Sequence, residues 1–232
     1  MSRLNDFFDI GGLSPVPDGV YVTGNMYGFN YNASAVNTVS VGSGLCYDSL
    51  NDTVLSATAS QNVNIPTAIN TIYNLFICND GIVRTDTDIN GATLLAGGVG
   101  KLRWIGFVLT DVNGNIVPFT IIGDTLLNTG QGFTFMSKNI PTVYTQADMS
   151  TVLPLSRCGM IKIGVTNAID NTFLMLSEDG STSREYEVLT GMTGLMLSRE
   201  GSGVFKNGWY IKSLSTSNDG GDVCVREVIL KR

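Results

Sequence analysis

Residues 101–124, KLRWIGFVLTDVNGNIVPFTIIGD, decide the fold class of this chain. Two apolar runs of alternating character flank the segment DVNGN, residues 111–115. Its Asn113-Gly114 pair tolerates positive backbone φ angles at low cost, which makes it a strong short-range indication of a tight β-hairpin. We therefore predict two antiparallel strands joined by a turn at this segment.

Period-two alternation of apolar and polar residues continues through much of the chain. It is found in residues 160–166, 173–177, 186–190, 194–198, 209–214 and 223–230, and the last of these has the composition of a central strand. Residues 71–78 are predicted to form a mostly buried strand. Turn-forming Gly, Asn and Asp residues separate the runs. Short strands at this spacing predict an all-β chain, an antiparallel β-sandwich of jelly-roll type. The best helix candidate is 144–153, which Pro141 and Pro154 bracket.

The first 20 residues differ in character from the rest. Phe7, Phe8 and Ile10 precede a glycine pair and a Pro-containing segment at 14–19. We predict an irregular N-terminal docking arm over 1–20 and a β-sandwich domain over 21–232, with a subdivision near 125–155. The alternative for the arm is that its phenylalanines fold back onto the domain's own core.

Composition restricts the classes of partner. Only 15% of the residues are charged, against about 25% in an average protein, so Asn, Thr, Ser and Gly must supply the polar surface. The net charge is −6 and the 14 basic residues are scattered, which argues against binding nucleic acid. No apolar stretch approaches the roughly 18–20 residues of a membrane span, and the N-terminus lacks the pattern of a signal peptide. We expect synthesis in a cytoplasm and no membrane insertion.

The sequence contains no histidine, which excludes catalysis by a Ser–His or Cys–His pair and mixed Cys/His zinc sites. Four cysteines are widely spaced and form no CxxC pair: Cys46, Cys78, Cys158 and Cys224. We predict that they are buried free thiols. We predict no cofactor and no enzymatic activity.

Two acidic motifs suggest chemistry and have simpler alternatives. Residues 86–91, DTDING, reproduce the first half of a calcium loop, yet Gly97 stands where the loop would need its closing Glu. An exposed turn has the same composition, and whether Asp86, Asp88 and Asn90 bind calcium stays open.

Glu185 and Glu187 would lie on the same face of a strand, as the paired carboxylates of a glycoside hydrolase could. An ordinary solvated strand face has the same pattern. We assign no catalytic and no metal-binding residues.

Aromatic side chains alternate loosely near the N-terminus. Tyr21, Tyr27, Phe29 and Tyr31 are interleaved with Asn and Gly residues. Flat rings beside amides suit stacking on sugars, but the same pattern suits a β-core or a subunit interface. Trp104 lies within an alternating run and is predicted to be in the core.

The 101–124 segment also resembles a segment that recurs in structural proteins of tailed bacteriophages and prophages. It covers about a tenth of the chain. The matching residues are Arg103, Ile105, Gly106, Thr110, Asp111, Gly114, Asn115, Ile116, Phe119, Thr120, Gly123 and Asp124.

The resemblance implies a virion component, an appendage subunit such as a head fibre, tail fibre or capsid decoration. By analogy with such fibres we expect a homotrimer that acts by assembly, with other virion proteins as its partners. The alternative is a carbohydrate-binding module that recognises glycans on the host surface.

Overall fold

Antiparallel strands make up most of the described structure. The computed structural model describes residues 26–48, 53–129, 133–136, 141–166, 172–177, 180, 185–190, 196–197, 210–213 and 222–232. The predicted arm, residues 1–20, lies outside this range. The strands are β1 (Met26–Gly28), β2 (Tyr31–Ala35), β3 (Thr38–Val41), β4 (Gly44–Asp48), β5 (Thr53–Ala57), β6 (Gln61–Asn64), β7 (Ile72–Cys78), β8 (Val83–Asp86), β9 (Leu102–Leu109), β10 (Phe119–Ile122), β11 (Thr125–Asn128), β12 (Phe133–Met136), β13 (Thr145–Gln146), β14 (Cys158–Thr166), β15 (Thr172–Ser177), β16 (Glu185–Thr190), β17 (Met196–Leu197), β18 (Tyr210–Ser213) and β19 (Asp222–Leu230). A short helix, α1 (Ala92–Ala96), and a 3-10 helix (Leu155–Arg157) interrupt them. The all-β, antiparallel, sandwich-like prediction is confirmed, and the jelly-roll type stays a prediction.

The chain folds into two compact units. Unit 1 comprises Met1–Pro66, Tyr73–Val108 and Arg232, and unit 2 comprises Thr67–Ile72 and Leu109–Lys231. These bounds lie elsewhere than residues 125–155, where the sequence suggested a subdivision.

Unit 1 contains three antiparallel strand groups. Their orders are β1-β4-β5, β2-β3-β6 and β8-β7-β9, and most residues of the last group belong to this unit. The alternating pattern of β3 places Val39 and Val41 in the core, and β7 is buried over nearly its whole length. The largest fully buried side chains of unit 1 include Phe29, Tyr31, Phe76 and Phe107. Burial of such rings is the main stabilising contribution, about 1.5–3 kcal/mol for each large side chain.

A tyrosine hydroxyl completes the backbone bonding of β9. Tyr31, 1% exposed, donates its hydroxyl hydrogen to the carbonyl of Phe107 over 3.0 Å and accepts that residue's N–H over 2.9 Å. Gly106 makes this approach possible, since a Cβ at that position would overlap the Tyr31 ring and hydroxyl. The side chain therefore occupies the place that a neighbouring strand's peptide group would take.

Unit 2 is organised around the C-terminal strand. Its sheet has the order β17-β14-β19-β11-β10, and β12 also pairs with β19. A second group has the order β13-β18-β15-β16. Because β19 pairs with β14 on one side and with β11 and β12 on the other, the prediction of a central final strand is confirmed. Val223, Val225 and Val228 are fully buried there.

The turn at 111–115 forms as predicted, but the hairpin around it is short. The Asp111 carboxylate accepts the N–H groups of Asn113 and Asn115 over 2.8 and 2.9 Å, and Gly114 has φ 77°. Beyond the bridge between Thr110 and Ile116, β9 pairs with β7 while β10 pairs with β11. Pro118 precedes β10 and has no N–H with which to extend the ladder.

The predicted helix over 144–153 is wrong. The segment contains β13, in which Thr145 pairs with Ile211, and then a turn in which the Asp148 carboxylate accepts the Ser150 N–H over 2.9 Å. Met149 and Leu153 are buried. Burial of these side chains and the Asp148 turn outweigh the modest helix propensity of the segment.

Candidate functional site

A polar cleft in unit 1 is the best candidate for a binding site among the described residues. Its volume is about 390 Å³. Three chain segments contribute to it, namely β5 with the loop that follows, the start of β6 and the turn between β7 and β8. The lining residues are Val54, Ser56, Thr58, Ala59, Gln61, Asn79, Asp80 and Gly81.

The turn between β7 and β8 is held in a defined conformation. Gly81 adopts φ 76° and donates its N–H to the carbonyl of Cys78 over 3.0 Å. The Asp80 carboxylate accepts the N–H of Ile82 over 3.1 Å. This is a local Asp-turn geometry of the kind that an Asn-Asp-Gly sequence favours.

Gln61 fixes the cleft floor by connecting β6 to this turn. Its amide nitrogen donates to the carbonyl of Gly81 over 2.6 Å, and its amide oxygen accepts the N–H of Val83 over 2.9 Å. The side chain thus bonds to one acceptor and one donor of the neighbouring backbone. Two such bonds contribute about 1 kcal/mol each and position the turn against β6.

One ion pair borders the cleft. The Arg84 guanidinium contacts both oxygens of the Asp80 carboxylate, at 2.8 and 2.6 Å. Hydrogen bonding from Arg84 lowers the pKa of Asp80 to about 2. The two side chains remain 33% and 45% exposed, respectively, so the pair is solvent-screened. Because the charges cancel, the cleft presents no net charge from this pair to a ligand.

Three polar side chains of the cleft are available to a ligand. Within the described part of the chain, no protein group hydrogen-bonds to the side chains of Ser56, Thr58 or Asn79. Thr58 and Asn79 are exposed and Ser56 is half-buried. Two hydroxyls and one carboxamide therefore offer both donors and acceptors at one surface.

Two tyrosines lie on the sheet face that contributes to the cleft. Tyr47 lies opposite Val54 in the β4–β5 pair, and Tyr27 lies opposite Leu45, which in turn lies opposite Ser56. Directly opposed residues of antiparallel strands point to the same face of the sheet. The face that carries Val54 and Ser56 into the cleft therefore also carries two tyrosines, and Tyr27 is 43% exposed.

The predicted aromatic series divides between core and surface. Phe29 is 0% and Tyr31 1% exposed, so the core alternative is confirmed for both. Trp104 is also in the core, where its indole nitrogen donates to the Asn74 side-chain oxygen over 3.0 Å. Tyr27 is the exposed member, and Tyr21 lies outside the described residues.

The carboxylates of the calcium-like loop are bonded to backbone donors. Asp86, 6% exposed, accepts the N–H groups of Asp88, Thr93 and Leu94 at 3.0, 2.9 and 3.1 Å. Burial disfavours ionisation of Asp86, but these hydrogen bonds outweigh it and lower its pKa. Asp88 accepts the N–H of Asn90 over 2.8 Å. The loop therefore uses its acidic side chains to bond the first turn of α1, which is the ordinary structural role of such groups.

Two sets of residues from the sequence analysis remain, the Glu185–Glu187 pair and the four cysteines. Glu185 and Glu187 lie in β16, whose backbone pairs them with Ser177 and Met175. The four cysteines are buried and free, as predicted. Burial raises the pKa of the Cys158 thiol to about 12. In the described part of the chain, no cluster of three or more acidic or cysteine side chains has the geometry to hold a metal ion.

Comparisons of the chain with protein-family models, with curated proteins and with solved structures found no match. Nor does any helix among the described residues have the length and apolarity that a membrane crossing requires.

Sequence reasoning missed the cleft, because Ser56 and Asn79 belong to segments whose contact depends on tertiary structure. The Asn-Asp-Gly triplet at 79–81 favours a turn, and these three residues line the cleft.

Proposed function

We propose that this protein is a structural subunit of a tailed-phage type of virion, an appendage that acts by assembly. The supporting observation is the use that the fold makes of the 101–124 segment, whose residues resemble those of phage structural proteins. Several of the matching side chains form hydrogen bonds or close contacts that build the local scaffold.

Thr110 and Gly114 show this scaffolding use most clearly. Thr110 is 1% exposed, and its hydroxyl accepts the N–H of Thr71 over 2.9 Å and donates to the carbonyl of Ala68 over 2.5 Å. A Cβ on Gly114 would overlap the carbonyl of Thr67. These residues join the turn at 111–115 to the 67–71 segment, which is the role expected of a structural motif.

The tip of this turn exposes apolar surface in unit 2. Ile69 is 60% and Val112 69% exposed. The N–H of Asn70 donates to the carbonyl of Asp111 over 3.0 Å, so the two apolar side chains stand on adjoining segments. Exposed apolar patches commonly mark contacts between proteins. This patch, Ile69 with Val112, supports assembly as the mode of action.

Native mass tests the proposal. Light scattering after size exclusion should give a species near three times 24.8 kDa. The double change Ile69→Ser and Val112→Ser should shift that species toward the monomer, while Val36→Ser, at a valine 66% exposed in unit 1, should not. A monomeric native protein would count against the trimeric fibre, and equal effects of both variants would count against this patch.

The polar cleft favours a second function, recognition of host-surface glycans. It is compatible with an appendage, since a particle must adsorb to its host. A glycan array carrying host polysaccharides tests this function, and absence of binding would leave the structural role alone.

A further inference from the structure

We propose that the cleft formed by β5, β6 and the β7–β8 turn binds a neutral, hydroxyl-rich ligand, namely a pyranose unit of a glycan. This inference deepens the glycan-recognition function proposed above and rests on it. It identifies the place on the molecule, the side chains that would make the contacts and the charge class of the sugar.

The hydrogen-bonding groups of the cleft match a sugar in number and kind. A pyranose hydroxyl both donates and accepts, and adjacent hydroxyls present such pairs at close spacing. Ser56 and Thr58 supply hydroxyls with the same dual capacity, and Asn79 supplies separate donor and acceptor atoms on one planar group. These groups have no protein partner in the described part of the chain, so a ligand needs to displace only water.

The charge of the cleft selects a neutral sugar. The Asp80 carboxylate also lines it, but Arg84 engages both carboxylate oxygens. A uronic or sialic acid would approach that carboxylate, and the described residues that line the cleft include no lysine or arginine to compensate it. An ammonium group would have to compete with the guanidinium. Uncharged hydroxyls are not repelled by the Asp80 carboxylate and do not compete with the Arg84 guanidinium. They can still accept or donate hydrogen bonds at the edge of the ion pair.

The apolar surface at Val54 suits the carbon–hydrogen face of a pyranose ring. Val54 lines the cleft and is 39% exposed, and Tyr47 lies beside it on the same face of the β4–β5 pair. Such surfaces bury the apolar side of a sugar while the polar wall contacts its hydroxyls. The volume of about 390 Å³ falls at the lower end of small-molecule sites, which span about 300–1,000 Å³.

The cleft is rigid before a ligand arrives. Gln61 bonds to both Gly81 and Val83, and the Arg84–Asp80 pair joins the turn to β8. Preorganisation of this kind reduces the entropy lost on binding. For a single sugar unit we expect a Kd on the order of 1 mM.

Protein-observed NMR tests the inference. The uniformly 15N-labelled full chain would be titrated with neutral methyl pyranosides (the gluco, galacto, manno, rhamno and N-acetylglucosamino forms) up to about 20 mM, which is well above that Kd. We expect saturable shifts at the amides of Ser56, Thr58, Asn79 and Gly81 with at least one of them. Thr58→Val and Asn79→Ala together should weaken this binding by at least tenfold.

The control is Asn62→Ala, which removes an exposed amide of β6 outside the cleft and should leave binding unchanged. Both variants remove exposed side chains, so both should retain the native spectrum and the native mass of the wild type. No saturable shift with any of the sugars, shifts elsewhere on the protein, or equal loss in the control would overturn the inference. None of these results would alter the native mass, so the assembly proposal is judged separately.

Discussion

Replacing Tyr31 with Phe should destabilise the protein out of proportion to the single oxygen atom that it removes. The Tyr31 hydroxyl serves both the N–H and the carbonyl of Phe107, at 2.9 and 3.0 Å, in a core position. With a phenyl ring in its place, the apolar packing is retained and both peptide groups lose this partner. An unsatisfied buried polar group costs about 1–3 kcal/mol, so the expected loss of unfolding free energy is about 2–5 kcal/mol. That is a large share of the roughly 5–15 kcal/mol of a typical domain.

Urea unfolding followed by circular dichroism measures this loss. With an m-value of about 2 kcal/mol/M, the midpoint should fall by about 1–2.5 M. Tyr27→Phe is the matched control, because Tyr27 is 43% exposed and its hydroxyl has no protein partner in the described structure. Hydrogen exchange at the Phe107 amide should also become faster in Tyr31→Phe alone. A change below about 0.5 kcal/mol, or an equal change in the control, would refute the assigned role.

Three further outcomes follow from the electrostatics and burial. The pKa of Asp80 is lowered to about 2 by Arg84, so the stabilisation from this pair is complete above the ordinary value of 3.8 and is lost as the pH falls from about 4 to about 2. Asp80→Asn should therefore lower the free energy of unfolding in urea by less than about 1 kcal/mol at pH 7, because both side chains are partly exposed. Below pH 2 the variant and the wild type should have the same stability, and a difference that does not change with pH would contradict this. Asp86→Ala should lower the free energy of unfolding by about 1–3 kcal/mol, because the hydrogen bonds to α1 are lost. Calcium or EDTA should leave the Tm of the wild type unchanged. A large rise in Tm with calcium would restore the metal-site hypothesis. A thiol reagent at pH 8 should modify Cys158 far more slowly in the native protein than in urea, because burial raises the pKa of the thiol to about 12, and equal rates would contradict its burial.

Local pattern predicted the strands well, because apolar and alternating runs bounded by turn residues are visible directly in the sequence. The runs at 71–78 and 223–230 became β7 and β19 with nearly the expected bounds. The turn at 111–115 was predictable for a similar reason, since its hydrogen bonds are formed by neighbouring residues. These features depend on few long-range contacts.

The sequence failed where distant segments decide the outcome. The 144–153 segment pairs with β18 and buries Met149, and neither fact is visible in its own composition. The helix α1 escaped notice because it has five residues and is stabilised by Asp86, which precedes it in the chain. The cleft depends on the same kind of contact, since Gln61 must reach the β7–β8 turn before a site exists.

The pairing of Tyr31 with Gly106 also has an evolutionary consequence. Any side chain at 106 would collide with the tyrosine ring, and any residue at 31 without the hydroxyl would lose both hydrogen bonds to the peptide of Phe107. A substitution at one of these positions therefore requires a matching change at the other, although they are far apart in the chain. In relatives of this chain we therefore expect the Tyr and the Gly to be retained or lost together.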